Sequence, residues 1–265
     1  MLADQNARLA SARRLTKRQA RREAGRFLAE GAQAVREALR TPDVVVELYA
    51  TTTAMRRDHD LIGTAQSAGI RVDEISTKAA EALSETVTPQ GLIAVCRNVD
   101  VPLRTALERA PRLIAALIDP SDPGNAGTIL RTADAAGAGA VVLAGEGVDP
   151  YNGKAVRASA GSLFHLDVVV SHPPMDLIAS ARAAGYRVLA TTGAGTTELD
   201  GLELSAPTVW LFGNEAHGLH EDVTAAADES VRVPIYGKAE SLNLAAAAAV
   251  CLYASARAQQ PRHRR

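Results

Sequence analysis

The run "RLIAALIDPSDPGNAGTILRTADAAGAGAVVLAGE", Arg112–Glu146, decides the fold. Its opening "RLIAALID" is apolar without the alternation of a strand that has one wet face, so it reads as a strand buried on both faces. Two prolines and two glycines then force a tight loop, and Asn125 stands where a helix would begin. Taken as helical, "NAGTILRTADAAG" turns Ile129 and Leu130 toward the sheet, and "AVVLAGE" is a second non-alternating apolar run. Strand, loop, helix and strand in this order form the unit of a mainly parallel α/β sheet, whose ligands bind beyond the carboxyl ends of the strands.

The same alternation runs on to the C-terminus through "GKAVRASAGSLF", "LDVVVS", "PMDLIASARAAG", "YRVLATT", "PTVWLFGN", "EDVTAAADE" and "SVRVPIYG". It ends in the alanine-rich "AESLNLAAAAAVCLYASARAQ", Ala239–Gln259, which has the marks of a buried helix. Ser241 reads as its cap, leaving Asn243 inside the first turn without a capping duty. The strand ends are then Asp119-Pro120, Gly145, Thr191-Thr192-Gly193, Gly213-Asn214-Glu215 and Pro234-Ile235. A separate α/β series, from "GRFLAEG" to "GLIAVCRNV", comes before. "DVPLRTALERAP", Asp100–Pro111, has a proline near each end and fits a linker. The expected division is a domain over 1–99, a linker over 100–111 and a second α/β domain over 112–265.

The 265 residues are 47% hydrophobic with a formal net charge of −1, as in a soluble globular protein. The charge is unevenly spread. Residues 1–40 hold ten Lys/Arg against four Asp/Glu, and the remainder nineteen against twenty-six, so the first part is +6 and the rest −7. With Arg262, His263, Arg264 and Arg265 at the other end, both termini look like phosphate-seeking arms. The cations Arg13, Arg14, Lys17, Arg18, Arg21 and Arg22 cluster tightly, and aromatics are only 3% of the chain, too few for a base-stacking platform. These six are the expected phosphate contacts, on a structured RNA recognised by backbone and shape. Cys96 and Cys251 are too few for a disulfide framework, and the N-terminus has no apolar signal segment, so a cytoplasmic location and no membrane span are expected.

Two partial motifs fall short. Gly193 and Gly195 make a G-x-G after a strand but lack the third glycine and the acidic residue of a dinucleotide site. His217 and His220 lack a further well-placed ligand, so no metal is expected.

Three segments recur as an ordered set: N-x-G-x(3)-R at 125–131, "FGNEAHGL" at 212–219 and "VPIYGKAESLN" at 233–243. Together they resemble the signature motifs of the SpoU, or TrmH-like, branch of the SPOUT methyltransferases, over residues 112–258. "RREAGRFLAEGAQAVREAL" in turn resembles the start of the substrate-binding domain, related to ribosomal protein L30e, that precedes the catalytic domain in many members. The resemblance implies an L30e-like α/β domain followed by an α/β SPOUT domain with a C-terminal trefoil knot, and a homodimer. It implies transfer of a methyl group from S-adenosyl-L-methionine to a ribose 2′-hydroxyl, with 23S rRNA as the target of the most similar members, including those giving thiostrepton-type resistance. A tRNA target, or a non-catalytic RNA-binding protein on the same fold, are the rival readings.

By the same resemblance Arg131 is the central catalytic residue, assisted by Glu215, with Asn125, Ser241 and Asn243 completing the polar shell. Guanidinium is hardly ever deprotonated in proteins, so the expected role of Arg131 is to hold phosphate and to stabilise alkoxide charge. Leu242 would offer its backbone to the adenine, Gly213 would let the ligand approach the main chain, and Thr192, Gly193, Leu211, Asn214, Val233 and Ile235 would line the same pocket. Arg157 is a further candidate for phosphate contact.

Overall fold

The computed structural model describes residues 2–4 and 6–259. The basic C-terminal group Arg262, His263, Arg264 and Arg265 lies outside the described residues. The chain folds as two compact units, one of the residues up to Val99 with Asp149–Phe164, the other of Asp100–Val148 with the residues from His165 on.

In the first unit, strands β1 (Arg26–Glu30), β2 (Val45–Thr51), β3 (Arg71–Ile75) and β4 (Leu92–Arg97) form a sheet in the order β1-β4-β2-β3. β4 runs antiparallel to β1 and β2, and β2 is parallel to β3. The basic N-terminal stretch is built into this unit. It forms helices Ala7–Arg14 and Arg18–Ala24, and Leu9, Ala12 and Leu15 sink into a cluster with Tyr49, Ile75, Ile93 and Val95. The helix Gly153–Ser159 also packs on β1. Just before it the Tyr151 ring lies 4.7 Å from that of Phe27, and its hydroxyl accepts from Val99 N at 2.9 Å. Residues 149–164, expected in the second domain, therefore belong to the first unit.

The second unit holds a seven-stranded parallel sheet of β5 (Leu113–Ile118), β6 (Ala140–Ala144), β7 (Asp167–His172), β8 (Arg187–Thr191), β9 (Thr197–Glu198), β10 (Thr208–Phe212) and β11 (Glu229–Arg232). Its order is β7-β6-β5-β10-β8-β11-β9. β5, β6 and β10 are buried along their whole length, as their unbroken apolar runs require. The expected linker is a structural part of this unit. Leu103 and Ala106 of helix Leu103–Glu108 are buried in its core, and Asp100 bridges to Val168. A proline near each end marks the helix boundaries here, not a flexible connection.

Residues 233–243 form neither helix nor strand. The helix Leu244–Gln259 that follows packs on helix Pro123–Ala135, β5 and β10. Small side chains allow the approach, and Ser255 Oγ accepts from the buried Trp210 Nε1 at 2.8 Å. Among the described residues no helix is long and apolar enough to cross a membrane.

Candidate active site

The three motifs meet at the carboxyl ends of β5 and β10. After β5 the chain enters helix Pro123–Ala135 through Asp122, whose Oδ1 accepts from Asn125 N at 2.9 Å. Asp followed by Pro at the first helical position is the local signal for this start. Asn125, expected at the helix start, sits inside the first turn, and its side chain is left for other work.

After β10 the chain folds back on itself. Asn214 and Gly218 exchange two backbone hydrogen bonds of 2.9 Å, Asn214 Oδ1 accepts from Ala216 N, and Asn214 Nδ2 donates to the carbonyl of Asp119 at 2.8 Å. A Cβ on Gly213 would stand 2.2 Å from the carbonyl carbon of Gly218. Glycine is needed there for the approach of the chain itself.

This fold-back places Glu215 over the β5 loop. Its Oε2 accepts from Ser121 N at 2.9 Å and Ser121 Oγ at 2.6 Å, and its Oε1 from Asp122 N and Asn125 Nδ2, both at 3.1 Å. Burial works to raise its pKa, but the bonds from Ser121 and Asn125 outweigh it and hold the carboxyl at about 2. Such a carboxylate is a poor proton acceptor near neutral pH. Ser121 is the participant that sequence reasoning missed; its only signal is its place between two acidic residues at a strand end.

The third motif joins through Asn243. Its Nδ2 donates to Asn125 Oδ1 at 3.1 Å, while its Oδ1 accepts from Ala245 N at 2.9 Å and Ala246 N at 3.3 Å. Asn243, and not Ser241, therefore caps the last helix. Ser241 is exposed and has no hydrogen-bond partner among the described residues.

Arg131 is not drawn into this chain of bonds. It lies six residues beyond Asn125, about 9 Å further along the helix axis. Its side chain is exposed and makes no hydrogen bond or ion pair among the described residues; Asp134, the obvious neighbour, is bonded to His165 at 2.8 Å. Of the expected cofactor residues, Thr192 ties its turn to β11 through its N–H to Val231 O at 2.9 Å. A Cβ on Gly193 would meet nothing within 4 Å. Val233 is half-buried, and Ile235 and Leu242 are each 39% exposed. The Leu211 side chain is wholly buried in the core, and its carbonyl accepts from Thr191 Oγ1, so it does not line an open pocket.

The expected RNA contacts divide as well. Arg13, Arg14, Lys17, Arg18 and Arg22 are exposed. Arg21 is 4% exposed, paired with Asp149 at 2.7 Å, and donates to the carbonyls of Leu15 and Thr16. It is a structural residue. Arg157 is half-buried and faces Glu30 at 3.6 Å within the first unit.

Residues 112–253 match the SpoU rRNA Methylase family, in the same span that holds the hydrogen-bonded motifs. The chain belongs to this SpoU family. Residues 6–94 match the MRM3-like substrate binding domain. A relative from Bacillus subtilis, 23S rRNA (guanosine(2553)-2'-O)-methyltransferase RlmP, is 38% identical over 86% of this chain and 87% of its own. The 23S rRNA (uridine(2479)-2'-O)-methyltransferase of Streptomyces viridochromogenes is 39% identical over 57% of this SpoU chain and 56% of its own. Among solved structures, the AdoMet-bound rRNA methyltransferase from Sinorhizobium meliloti is 32% identical and superposes with a TM-score of 0.86 over 97% of each chain. The SpoU methyltransferase AviRb from S. viridochromogenes, in complex with AdoMet, gives 0.84 at 30% identity over 95% of this chain and 98% of its own.

Proposed function

We propose that this SpoU protein transfers a methyl group from S-adenosylmethionine to a ribose 2′-hydroxyl in 23S rRNA. The observation that carries the reading is the hydrogen-bonded chain Glu215–Asn125–Asn243, which links three distant motifs at the sheet's carboxyl end. The names of the Bacillus and Streptomyces relatives favour 23S rRNA over tRNA.

The residues present fit the cofactor. The space around Gly193 is open, and Ile235 and Leu242 offer exposed apolar surface suited to an adenine ring. Thr192, Gly193, Asn214, Val233, Ile235 and Leu242 would hold it. Gly213 serves the site by shaping the main chain. When bound, S-adenosylmethionine supplies the methyl group already activated as a sulfonium.

The protein's part is then positioning and charge. Glu215 acts as a positioning residue: its oxygens are committed to Ser121, Asp122 and Asn125, and it locks the motif loops together. Arg131, with all its donors free, holds an RNA phosphate and stabilises negative charge as it develops on the 2′-oxygen. Ser241 is similarly free to meet the reacting groups.

The reading includes a trefoil knot, with residues 213–219 and 233–243 folded around the cofactor; the Asn243–Asn125 bond and the seat of the last helix on β5 and β10 support it. It also includes a homodimer. Val250 and Tyr253 are 43% and 46% exposed on the last helix, which packs beside the helix of Arg131, and a second copy would cover them. The free thiols Cys96 and Cys251 agree with a cytoplasmic setting.

Calorimetry with S-adenosylmethionine, followed by mapping of 2′-O-methyl sites in 23S rRNA and tRNA with and without the gene, tests the reading. Absence of cofactor uptake sinks it. A gene-dependent methyl group in tRNA moves the substrate to the rival class.

A further inference from the structure

The first unit carries a cleft that the methyl-transfer reading does not use. It lies between helix Ala7–Arg14, the turn that follows it and helix Thr77–Leu83, and encloses about 420 Å³. That lies within the range of small-ligand pockets, roughly 300–1,000 Å³. Its floor is apolar: Leu9 and Leu83 are buried side chains, and Ala10, Ala79 and Ala82 leave the space above them empty. Its rim is cationic, formed by Arg13, Arg14, Lys17 and Lys78. None of these four side chains has a carboxylate partner among the described residues. The one acidic residue in the lining, Asp4, accepts from Ser76 Oγ at 2.7 Å, and Ser76 in turn caps helix Thr77–Leu83.

A flat patch of cations would be enough to grip an RNA backbone. An apolar hollow ringed by unpaired cations is complementary to something more particular, a flat apolar body with negative charge at its edge. An unstacked nucleotide has that form. Its base buries a π-face on the alanine and leucine floor, an arginine plane can lie against the other face, and its flanking phosphates reach the rim. We propose that this cleft seats one unstacked nucleotide of the RNA, base inward, with Arg13, Arg14, Lys17 and Lys78 on its phosphates. The inference rests on the reading that the first unit contacts RNA, and extends it from backbone grip to base capture.

The test uses the full chain and fluorescence anisotropy with two hairpin RNAs, identical except that a single bulged nucleotide in one is abasic in the other. The intact protein binds the bulged hairpin roughly tenfold more tightly, the usual scale for one captured base. Ala82→Trp and, on the exposed side, Ala10→Trp fill the cleft without touching a charge. Loss of the tenfold preference in either variant, with cofactor affinity and circular dichroism unchanged, supports the proposal. Equal affinity of the intact protein for the two hairpins, or a preference that survives both substitutions, overturns it; an acidic peptide as the true occupant would give the first result. Failure of the underlying RNA-contact reading looks different. It leaves the salt dependence of binding unchanged when Arg13 and Arg14 are replaced by alanine.

Discussion

Arg21 in the first unit and Arg131 in the second both stand on helices. Their surroundings are opposite. Arg21 belongs to a crowded run of cations, is buried, and spends its donors on Asp149 and on two backbone carbonyls. Arg131 is the lone cation of its helix, is exposed, and spends none. A guanidinium satisfied inside its own chain stabilises the fold. One left unsatisfied is available to a substrate, and here the neighbouring carboxylate, Asp134, is already engaged by His165.

The contrast between the two arginines shows most at Arg131. Arg131→Ala is expected to lower methyl incorporation by about 10³-fold, the scale for removing a donor aimed at developing charge, while cofactor affinity by calorimetry stays unchanged. Lysine should rescue poorly because it lacks the planar fork. Thermal stability should shift little, as for other exposed substitutions. Near-normal turnover in Arg131→Ala would remove the mechanism's centre.

Arg21→Ala should do the reverse. It leaves Asp149 and two carbonyls without their donor, a change that costs about 3–5 kcal/mol for buried pairs. Urea unfolding checks this, with Arg22→Ala as the exposed control, expected within about 0.5 kcal/mol of the parent. If both substitutions cost the same, the burial contrast has no energetic meaning.

Much of this was legible in the sequence, and what was not has a common cause. Non-alternating apolar runs announced the buried parallel strands β5, β6 and β10, and the three spaced motifs announced Asn125, Glu215 and Asn243 as partners. Periodicity does not say which core an amphipathic helix will choose, so residues 149–164 read as continuing the second series although Tyr151 and its helix fit β1. In the same way, a count of cations cannot tell Arg21 from Arg22; the difference lies in Asp149, far along the chain. Ser121 escaped notice because its role depends on a fold-back that brings Glu215 to it from another motif.

Glu215 stands between the two arginines in character, exposed yet fully engaged. Its carboxyl is held at about 2 in the folded protein, against an ordinary value of 4.5. The unfolded chain therefore binds the proton more readily, so the stabilisation is complete above about pH 4.5 and is lost as pH falls through 2. Solvent screening limits it to about 1 kcal/mol. Stability measured from pH 5 to pH 2 should fall less steeply in Glu215→Gln than in the parent. At neutral pH the same variant should lose turnover through misplaced loops while the pH–rate profile keeps its shape, the outcome expected of a positioning residue; a changed profile would make Glu215 a proton acceptor.

The smallest expected effect concerns the exposed cations, and it needs point substitutions. Removing residues 1–23 would also withdraw Leu9, Ala12 and Leu15 from the core and break the Arg21–Asp149 pair, so a loss of RNA binding would not separate charge from folding. Arg18 avoids this difficulty, being exposed, outside the cleft and without a partner among the described residues. If it meets one phosphate, Arg18→Ala should make the plot of log affinity against log salt shallower by slightly less than one unit, with only a few-fold change in affinity at moderate salt. Stability and cofactor binding should not move. The companion Arg21→Ala, measured at a temperature where it remains folded, should leave the slope unchanged, since its charge already faces Asp149. An equal change of slope in both variants would mean that the buried arginine reaches RNA after all, and that the pairing seen in the free protein opens on binding.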